Sequence, residues 1–249
     1  MHSLFNTTIL LSLGAAVASN ITTEQVTQTP DLVVVNAEVA AIDRGLLVIG
    51  LDENFSGLCN VNTTNIILDD DLTVGDTIEI TFDGNIMESW PAQIGKVDSI
   101  VITHQGSDTL NVYREAFYDL RYTDIDLDRQ AELIAVDLTE VTNLNDSQKQ
   151  ALLYLVSCDI DLFDKIYEST FTELEQQGFI KNEEVEDTFF TYFENGVIYT
   201  LKNHQEDVHN FSFDIEKWTS SLGAIGFSEC TATLKDDIYI WTIGETWAY

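Results

Sequence analysis

Cysteine and basic residues are scarce in this chain, and each shortage excludes a class of protein. Three cysteines, Cys59, Cys158 and Cys230, are too few for a small fold held together by disulfide bonds. They allow one bond at most, and whether Cys158 pairs with Cys230 stays open. Lysine and arginine number 11 against 43 aspartates and glutamates, a net charge of −32 at pH 7. Such a surface repels nucleic acid phosphates and anionic lipids, so neither is expected as a partner.

The motifs of well-known catalytic and cofactor sites are missing as well. The chain has no glycine-rich phosphate loop, no H-E-x-x-H zinc motif and no G-x-S-x-G nucleophile elbow. His204 and His209 share one acidic stretch, but structural zinc needs four ligands, and such histidines are usually just exposed. The acidic segments Asp69–Asp71 and Asp124–Asp128 are interpreted as solvated turns. No cofactor and no metal site are therefore expected, beyond weak binding of divalent cations.

The composition nevertheless predicts a folded protein. Hydrophobic residues make up 45% of 249 residues, enough for the core of one large domain or two ordinary ones. The mutual repulsion of excess acidic residues keeps a secreted protein soluble and prevents its self-association, so a monomer is expected. The same charge favours cations, basic partners or a salty medium.

The N-terminal segment has the pattern of an export signal. Its apolar run, Ile9–Val17, is too short to span a bilayer, and Ala16-Val17-Ala18 matches a small-x-small cleavage site. Residues 1–18 are predicted to be a signal peptide cleaved after Ala18, and the polar residues 19–30 a linker. The mature protein is therefore expected to be secreted or to stay at the cell surface.

Residues 31–104 are predicted to form a small β-barrel of the OB type. β-Branched and alternating apolar segments recur there at close spacing, separated by turn signals, which is typical of a closed barrel. The five strands expected are Leu32–Val39, Leu46–Leu51, Thr63–Leu68, Thr77–Phe82 and Gly95–Thr103.

The stretch Asp83–Ile94 stands out within this half. Asp83-Gly84 is a turn signal, because glycine adopts positive φ without steric cost and aspartate hydrogen-bonds the turn backbone. Pro91 fixes its own φ and makes Trp90 extended, so a kinked segment is predicted to close the barrel, with Trp90 largely buried. The side chain that fills the barrel core is expected to be that of Ile86, Trp90 or Ile94. A structural role is assigned to six motif residues: Asp83, Gly84, Glu88, Trp90, Pro91 and Gln93.

Residues 109–249 are predicted to form an α+β domain with helices packed on a bent antiparallel sheet. Apolar residues recur at helical spacing in Leu110–Tyr122, and an N-cap at Asn145 or Asp146 begins a second helix. Ser169–Leu174 opens a short third helix with the pattern of a capping box, Ser or Thr followed three or four residues later by Glu. The strands expected are Glu132–Leu138, Thr188–Phe193, Val197–Leu201, Asn210–Trp218, Leu222–Leu234 and Ile238–Gly244.

Two details of this second sheet are predicted from its glycines. Asn195-Gly196 suits a type I′ turn, so Thr188–Phe193 and Val197–Leu201 are expected to pair as a hairpin. Gly223 and Gly226 in one strand indicate a bulge or a strong bend. A bent sheet with helices on its concave side would leave a cone-shaped pocket, by analogy with cystatin-like and nuclear-transport-factor-like folds.

Several segments also resemble a known group of proteins. Gly75–Ile80 followed by Asp83–Ile94 resembles a small β-barrel domain in uncharacterised envelope proteins and lipoproteins of Gram-positive, clostridia-like bacteria. The domain that follows it in some of them resembles Val136–Val141 with Asn143-Leu144, Thr170–Leu174 with Gln177-Gly178, and Lys217–Ala224. The resemblance implies an envelope location and a two-domain build but no particular activity. Many of these proteins carry a lipid-attachment cysteine directly after the leader, whereas Ser19 follows Ala18 here, so a lipid anchor is not expected.

Tryptophans are the best candidates for a ligand-binding surface. Trp218 lies in a polar stretch of the second half, and Trp241 and Trp247 follow near the end of the chain. Aromatic side chains on a sheet form platforms for ligands, although they more often fill a core. No residue is assigned a catalytic role.

Three functions are predicted as alternatives. The first is a secreted or cell-surface, non-enzymatic protein that binds a ligand or a protein partner. The second is an envelope hydrolase of the glycosidase type that uses a Glu/Asp pair in residues 109–249. The third, calcium-stabilised adhesion, predicts a higher melting temperature in millimolar calcium.

Overall fold

The structure is a computed structural model that describes residues 31–160, 165–185, 188–206, 209–235 and 238–249. The expected signal peptide, its cleavage site and the linker lie outside these residues. In chain order, the strands and helices described are β1 (Val33–Ala41), β2 (Leu46–Asp52), β3 (Phe55–Val61), β4 (Thr77–Phe82), β5 (Ile86–Met87), β6 (Ala92–Ile94), β7 (Val97–His104), α1 (Thr109–Thr123), β8 (Leu133–Glu140), α2 (Asp146–Ile160), β9 (Ile166–Glu168), α3 (Phe171–Gln176), β10 (Ile180–Val185), β11 (Thr188–Phe193), β12 (Gly196–Glu206), β13 (Asn210–Ser220), β14 (Gly223–Lys235), β15 (Ile238–Thr242) and β16 (Glu245–Ala248).

The first seven strands form one sheet in the order β5-β6-β3-β2-β1-β4-β7. Neighbours are antiparallel except β3 and β6, which run parallel. Alternation of apolar residues explains the buried face: in β4, Ile78, Ile80 and Phe82 are buried while the residues between them are half-buried. Together with side chains from β1, β2 and β3 they form a single apolar cluster.

The prediction of an OB-like barrel is wrong, because the sheet formed by the described strands does not close on itself. β5 pairs only with β6 and β7 only with β4 in this part of the chain, so the sheet has two edges. The third strand is β3, whereas residues 63–68 contain no strand and Ile67 there is 97% exposed. The pattern missed β3 because Gly57 and Asn60 interrupt its apolar residues.

Helix α1 supplies much of the core of the second half. The helix predicted over Leu110–Tyr122 is confirmed, with buried residues at spacings of three and four. Tyr113 is fully buried, and its ring centroid lies 5.4 Å from that of Phe211 and 5.2 Å from that of Phe213. Its hydroxyl donates a hydrogen bond to Asn143 Oδ1 at 2.8 Å. Tyr113 therefore joins α1 to β13 and to the segment before α2.

The second sheet is mixed and not purely antiparallel as predicted. β8 runs parallel to both β12 and β9, whereas β12, β13 and β14 are antiparallel neighbours. β15 and β16 pair with successive parts of β14. Between these two ladders, the pairing of β14 with β13 shifts register near Glu229, whose φ is +53°.

The predicted hairpin at Asn195-Gly196 is wrong. β11 pairs with β10 and β13, and β12 pairs with β8 and β13, so the two strands are not ladder partners. A type I′ turn needs positive φ at both central residues, but only Asn195 has it, with φ of +57°. Gly196 instead lies against the ring of Phe193, where a Cβ would come within 2.3 Å of that ring.

The predicted fold class is therefore wrong as a whole. The part of the chain that the structure describes is mainly β, with 51% strand and 19% helix arranged as two sheets and three helices. The three helices were predicted from their patterns, and α3 has the expected capping box between Thr170 and Glu173. The strand content was underestimated because β10 is mostly polar and β5, β6 and β9 are only two or three residues long.

Residues Asp31–Tyr249 form one compact unit in which α2 packs against strands of both sheets. Gln148 Nε2 on α2 donates to Glu38 Oε1 on β1 at 2.7 Å. A small apolar cluster, the shared cluster, combines residues of both halves: Ala40, Ala41, Leu47, Ile49 and Leu58 with Leu110, Ala151 and Leu155. The division into domains 31–104 and 109–249 stays a prediction.

The acidic surface leads to a prediction about pH and salt. Burial raises the pKa of Glu38, Asp108 and Glu216, so these carboxyl groups bind protons more readily in the folded chain. Stability should therefore rise as pH falls from 7 towards about 5. It should also rise from low to physiological salt, because counterions screen the mutual repulsion of the acidic groups.

At lower pH the trend should reverse. Hydrogen bonds from Arg114 lower the pKa of Asp43 below its ordinary 3.8. The stability that this ion pair contributes is therefore lost progressively as pH falls from about 3.8 through the lowered pKa of the folded protein. Melting temperatures followed by circular dichroism over a grid of pH and salt measure both effects. A melting temperature independent of salt would contradict the predicted repulsion.

Candidate functional site

A cleft of about 540 Å³ opens where the parallel strands β3 and β6 end. This volume lies within the range of roughly 300–1,000 Å³ that is common for ligand sites. Its polar lining consists of Asn60, Asn62, Asn65, Gln93 and Lys96. Its apolar lining consists of Val61, Ile66, Met87, Ile94 and Val97, and Gly95 also lines the cleft.

Backbone pairing positions the walls of this cleft. β6 runs parallel to β3, so Gln93 lies next to Asn60. On its other side β6 pairs with β5, which places Met87 opposite Gln93. Ile94 at the end of β6 is buried and forms part of the floor.

The turn that follows β4 holds the remaining wall in place. Asp83 N donates to Lys96 O at 3.0 Å, and Gly95 N donates to Asn85 O at 2.7 Å. Asp83 Oδ1 accepts a hydrogen bond from Asn85 N, and contacts with Asn85 lower the pKa of Asp83. A Cβ at Gly95 would lie 2.5 Å from Asp83 Oδ1, so the close approach of the two segments requires glycine.

The polar lining is dominated by side-chain amides. Each amide of asparagine or glutamine can both donate and accept hydrogen bonds. The amide oxygen of Asn62 is fixed by the backbone N–H and the hydroxyl of Thr64, at 3.0 and 2.6 Å. Lys96 makes no ion pair within 4.0 Å in the described ranges, so its ammonium group can face a ligand.

Three exposed apolar side chains lie in or close in sequence to the segments that line the cleft: Met87, Ile67 and Trp90. The prediction that Trp90 is buried is wrong, since 64% of it is exposed. It lies in the loop between β5 and β6, and Ile94 fills the core position instead. Met87 and Ile67 are 54% and 97% exposed. Of these side chains, only Met87 lines the cleft, where a ligand would cover part of its apolar surface.

The other motif residues of Asp83–Ile94 shape the backbone. Gly84 has φ of +79°, as its predicted turn requires. Ser89 Oγ donates to Pro91 O at 2.7 Å, Pro91 is buried, and the Trp90–Pro91 peptide bond is cis. Glu88 is exposed. Of the six residues assigned a structural role, Gln93 is the one that lines the cleft.

Each of the three candidate tryptophans packs against a different partner. The ring of Trp218 contacts Phe171 at the start of α3, with centroids 5.1 Å apart. Trp241 Nε1 donates to Glu115 Oε2 on α1 at 3.1 Å, and its ring packs against the main core. Trp247 takes part in neither of these two contacts. The contacts of Trp218 and Trp241 attach α3 and α1 to the second sheet, and the assignment of the three tryptophans to a ligand-binding surface stays a prediction.

Trp247 packs on the backbone of the sheet. A Cβ at Gly226 would lie 2.5 Å from the Trp247 ring, so glycine is needed there for the ring to approach. The ring of Tyr249 stacks on the ring of Trp247, with centroids 5.3 Å apart. Gly226, one of the two glycines from which a bulge or bend was predicted, therefore makes room for the ring of Trp247.

A buried polar cluster, which sequence patterns did not reveal, lies at the C-terminal end of α1. Asp128 accepts hydrogen bonds from the Tyr199 hydroxyl at 2.5 Å and from Arg121 Nη1 at 2.8 Å. Lys217 Nζ donates to the carbonyl oxygens of Arg121 and Asp124. Its cation therefore binds the last turn of the helix, where the helix dipole favours positive charge.

Burial raises the pKa of Tyr199 well above its ordinary value and lowers that of Lys217. The adjoining cavity, lined partly by Arg121 and Tyr199, measures about 10 Å³, room for a single water molecule. The cluster therefore closes the core and is not an open ligand site. Alternation in β13 could have revealed it, since Lys217 falls on the same side as the buried Phe213 and Ile215.

Two carboxylates, those of Asp214 and Glu216, lie on the opposite face of β13. Asp214 and Glu216 are two residues apart, so both point to the same side of the sheet. His204 Nε2 lies 2.8 Å from Asp214 Oδ2, and Glu229 N donates to Asp214 Oδ1 at 2.8 Å. Burial raises the pKa of Glu216.

Within the described ranges, no group of three or more His, Cys, Asp or Glu side chains is placed to hold a metal ion. Cys59, Cys158 and Cys230 are free thiols. The disulfide bond between Cys158 and Cys230, which the sequence left as a possibility, is therefore not formed. The described helices are too short or too polar to cross a membrane.

Comparison of the sequence with protein-family models and with curated proteins gave no match. The resemblance to envelope proteins therefore remains a proposal.

The sequence patterns identified one wall of the cleft and missed the other. Asn65 falls within the strand predicted at Thr63–Leu68, and Asn60 and Asn62 fall outside every predicted element, so no site was expected there. Three asparagines within six residues, next to apolar ones, are a signal that could have found them. Lys96 could have been noticed as a rare base directly after the motif.

Proposed function

We propose that this protein is a non-enzymatic binding protein that holds a ligand or a partner protein in the cleft beside β5 and β6. The observation that carries the proposal is the combination of four side-chain amides with an apolar floor in about 540 Å³. Apolar walls supply most of the binding area in such sites, and a few polar groups fix the orientation of the ligand. The amides carry no charge, so they suit neutral groups that both donate and accept hydrogen bonds.

We also propose that the protein acts outside the cytoplasm, either secreted or at the cell surface. The apolar run Ile9–Val17 and the small residues before Ser19 support this location. N-terminal sequencing of the protein recovered from the medium or the envelope of an expressing bacterium tests it. The first residue is expected to be Ser19, and recovery of an intact Met1 in the cytoplasm would contradict the location.

Screening the full chain against glycan and peptide arrays, followed by calorimetry of the hits, tests the binding role. The double substitution Asn65→Ala and Gln93→Ala removes two amides from the cleft. Each hydrogen bond contributes about 0.5–1.5 kcal/mol, so the loss of two should raise the dissociation constant by roughly 5- to 150-fold. Both side chains are exposed, so the fold should be retained.

Gln150→Ala with Gln176→Ala is the matched control, since it removes two exposed amides from helices α2 and α3. Affinity should be unchanged in this control. A ligand that binds both double variants equally well would show that the cleft is not the binding site. Turnover of a ligand would contradict the non-enzymatic role.

The carboxylate pair on β13 favours a hydrolase as the second candidate function. Glu216, with its raised pKa, would act as the general acid, and Asp214 as the base or nucleophile. The same array hits, incubated with the protein and analysed by mass spectrometry, would show cleavage products. Glu216→Gln should abolish them, while Glu245→Gln should not, because Glu245 is an exposed glutamate on β16, which pairs with β14 and not with β13. Intact hits with the wild-type protein would exclude this function.

A further inference from the structure

The lining of the cleft differs in charge from the rest of the chain. It contains one lysine, Lys96, and no aspartate or glutamate. In the whole chain, acidic residues outnumber basic ones by 43 to 11. Lys96 is exposed, and its ammonium group is not engaged by a carboxylate within 4.0 Å in the described ranges. This acidic protein therefore offers a positive charge to a ligand in the cleft.

Asn62 adds a neutral donor to the same part of the cleft. Its Oδ1 already accepts hydrogen bonds from the backbone N–H and the hydroxyl of Thr64, which leaves its NH2 group to face a ligand. β3 and β6 run parallel, and Asn62 directly follows β3 while Lys96 lies two residues after the end of β6. Both donors therefore lie at one end of this strand pair. A carboxylate matches them, because it only accepts hydrogen bonds.

The carboxylates close to Lys96 in sequence do not line the cleft. Asp98 is exposed on β7. The charge of Lys96 makes a small contribution to the lowered pKa of Asp83, after the hydrogen bonds with Asn85. Asp83 Oδ1 accepts a hydrogen bond from Asn85 N, so this carboxylate is bound within its own turn. The ammonium group of Lys96 is therefore left for the carboxylate of a ligand.

The apolar lining indicates what else the ligand carries. Its side chains are those of valine, isoleucine and methionine, and none is aromatic. Sugar rings usually bind by stacking on aromatic side chains, whereas a lining of this kind covers an aliphatic side chain. The amides of Asn65 and Gln93 can pair with the N–H and C=O groups of a peptide, since each amide has a donor and an acceptor.

We infer that the cleft binds the C-terminal end of a peptide or partner protein, with the terminal carboxylate at Lys96 and Asn62 and an aliphatic last side chain on the apolar floor. This inference rests on the proposed binding function and names its ligand class. A terminal carboxylate occurs once in each chain, so a site of this kind selects the end of a chain over its interior.

The overall charge of the protein sets the conditions for such binding. The net charge of −32 repels an anion at long range. At physiological salt the Debye length is about 8 Å, so this repulsion is screened while the direct contact with Lys96 is kept. A peptide with a blocked amino terminus carries only the charge of its carboxylate, and the measurement is made at this salt.

The test titrates acetylated tripeptides Gly-Ala-X into the isotope-labelled full chain and follows its amide signals by NMR. X is Val, Leu, Ile or Met in turn, and each peptide is made as a free acid and as a carboxamide. The acid should bind roughly 5- to 30-fold more tightly, because the carboxamide cannot form the ion pair. Signals of Asn62, Gln93 and Gly95 should shift. The absence of shifts with every acid at millimolar concentration, or equal affinity of acid and carboxamide, would overturn the inference.

Two lysine variants show whether Lys96 is responsible for this preference. Lys96→Gln removes the charge at an exposed position, so the fold should be retained, and acid and carboxamide should then bind within about 2-fold of each other. Lys235→Gln is the matched control, since it removes an exposed lysine at the end of β14 and changes the net charge equally. The control should keep the preference for the acid. A preference that survives Lys96→Gln, or that both variants lose equally, would contradict the assigned role of Lys96.

The outcomes also separate this inference from the proposed function. Glucuronate presents a carboxylate on a sugar, and its binding to the cleft without binding of any peptide acid would overturn the peptide class. Binding of a neutral ligand that depends on Asn65 and Gln93, with no preference for a carboxylate, would overturn only the inference. Loss of cleft dependence for every ligand would overturn the proposed function together with it.

Discussion

Replacing Asp128 with alanine is expected to destabilise the protein by about 3–5 kcal/mol, because it leaves Arg121 buried without its counter-charge. The Asp128 side chain is fully buried and that of Arg121 is 11% exposed. The substitution also removes the acceptor of the Tyr199 hydroxyl. Urea denaturation of the wild-type and variant proteins, followed by tryptophan fluorescence, measures the change in the free energy of unfolding.

Asp126→Ala is the matched control for this prediction. Asp126 lies two residues before Asp128 and pairs with Arg129 at 2.8 Å, but both side chains are largely exposed. Such surface pairs contribute less than about 1 kcal/mol. Equal effects of the two substitutions would mean that the Asp128 cluster is hydrated in solution and does not behave as a buried ion pair.

Replacing Tyr113 with alanine should cost about 3–5 kcal/mol, the range for removal of a buried aromatic side chain. The cavity left behind would remove ring contacts with Phe211 and Phe213, and the Asn143 amide would lose a donor. Tyr113→Phe keeps the ring, so it should cost only about 1–2 kcal/mol. Thermal or urea unfolding distinguishes the two, and equal effects would mean that the hydroxyl dominates.

Trp90→Ala provides the contrast on the surface. Because 64% of Trp90 is exposed, its removal should change the free energy of unfolding by less than about 1 kcal/mol. A cost similar to that of Tyr113→Ala would place Trp90 in the core, as the sequence alone had indicated.

Sequence patterns predicted the elements of this protein better than their arrangement. α1 and β4 show clean periodicities of 3.6 and 2, because one face of each is buried and the other is not. Strand order depends on contacts between distant residues, which local patterns do not contain. The parallel pairing of β8 with β12 is of this kind, since it joins residues more than sixty positions apart.

The candidate site was predictable only in part for a similar reason. The turn at Asp83-Gly84 follows from local backbone preferences, and it was predicted. The cleft forms where this turn meets a distant segment that begins at Asn60, and no local pattern records that meeting. Trp90 was misjudged because an aromatic residue before proline gives no indication of whether its loop projects into solvent.

The shared cluster has a consequence for how related chains can diverge. Leu47 and Ile49 from the first sheet fill space next to Ala151 and Leu155 of α2. A larger side chain on one partner must be offset by a smaller one on the other, because a packed interior tolerates neither overlap nor voids. Among homologues, the sizes of these residues should therefore covary, and a chimera that joins the halves of two divergent members should fold only when both come from chains with matching volumes at these positions.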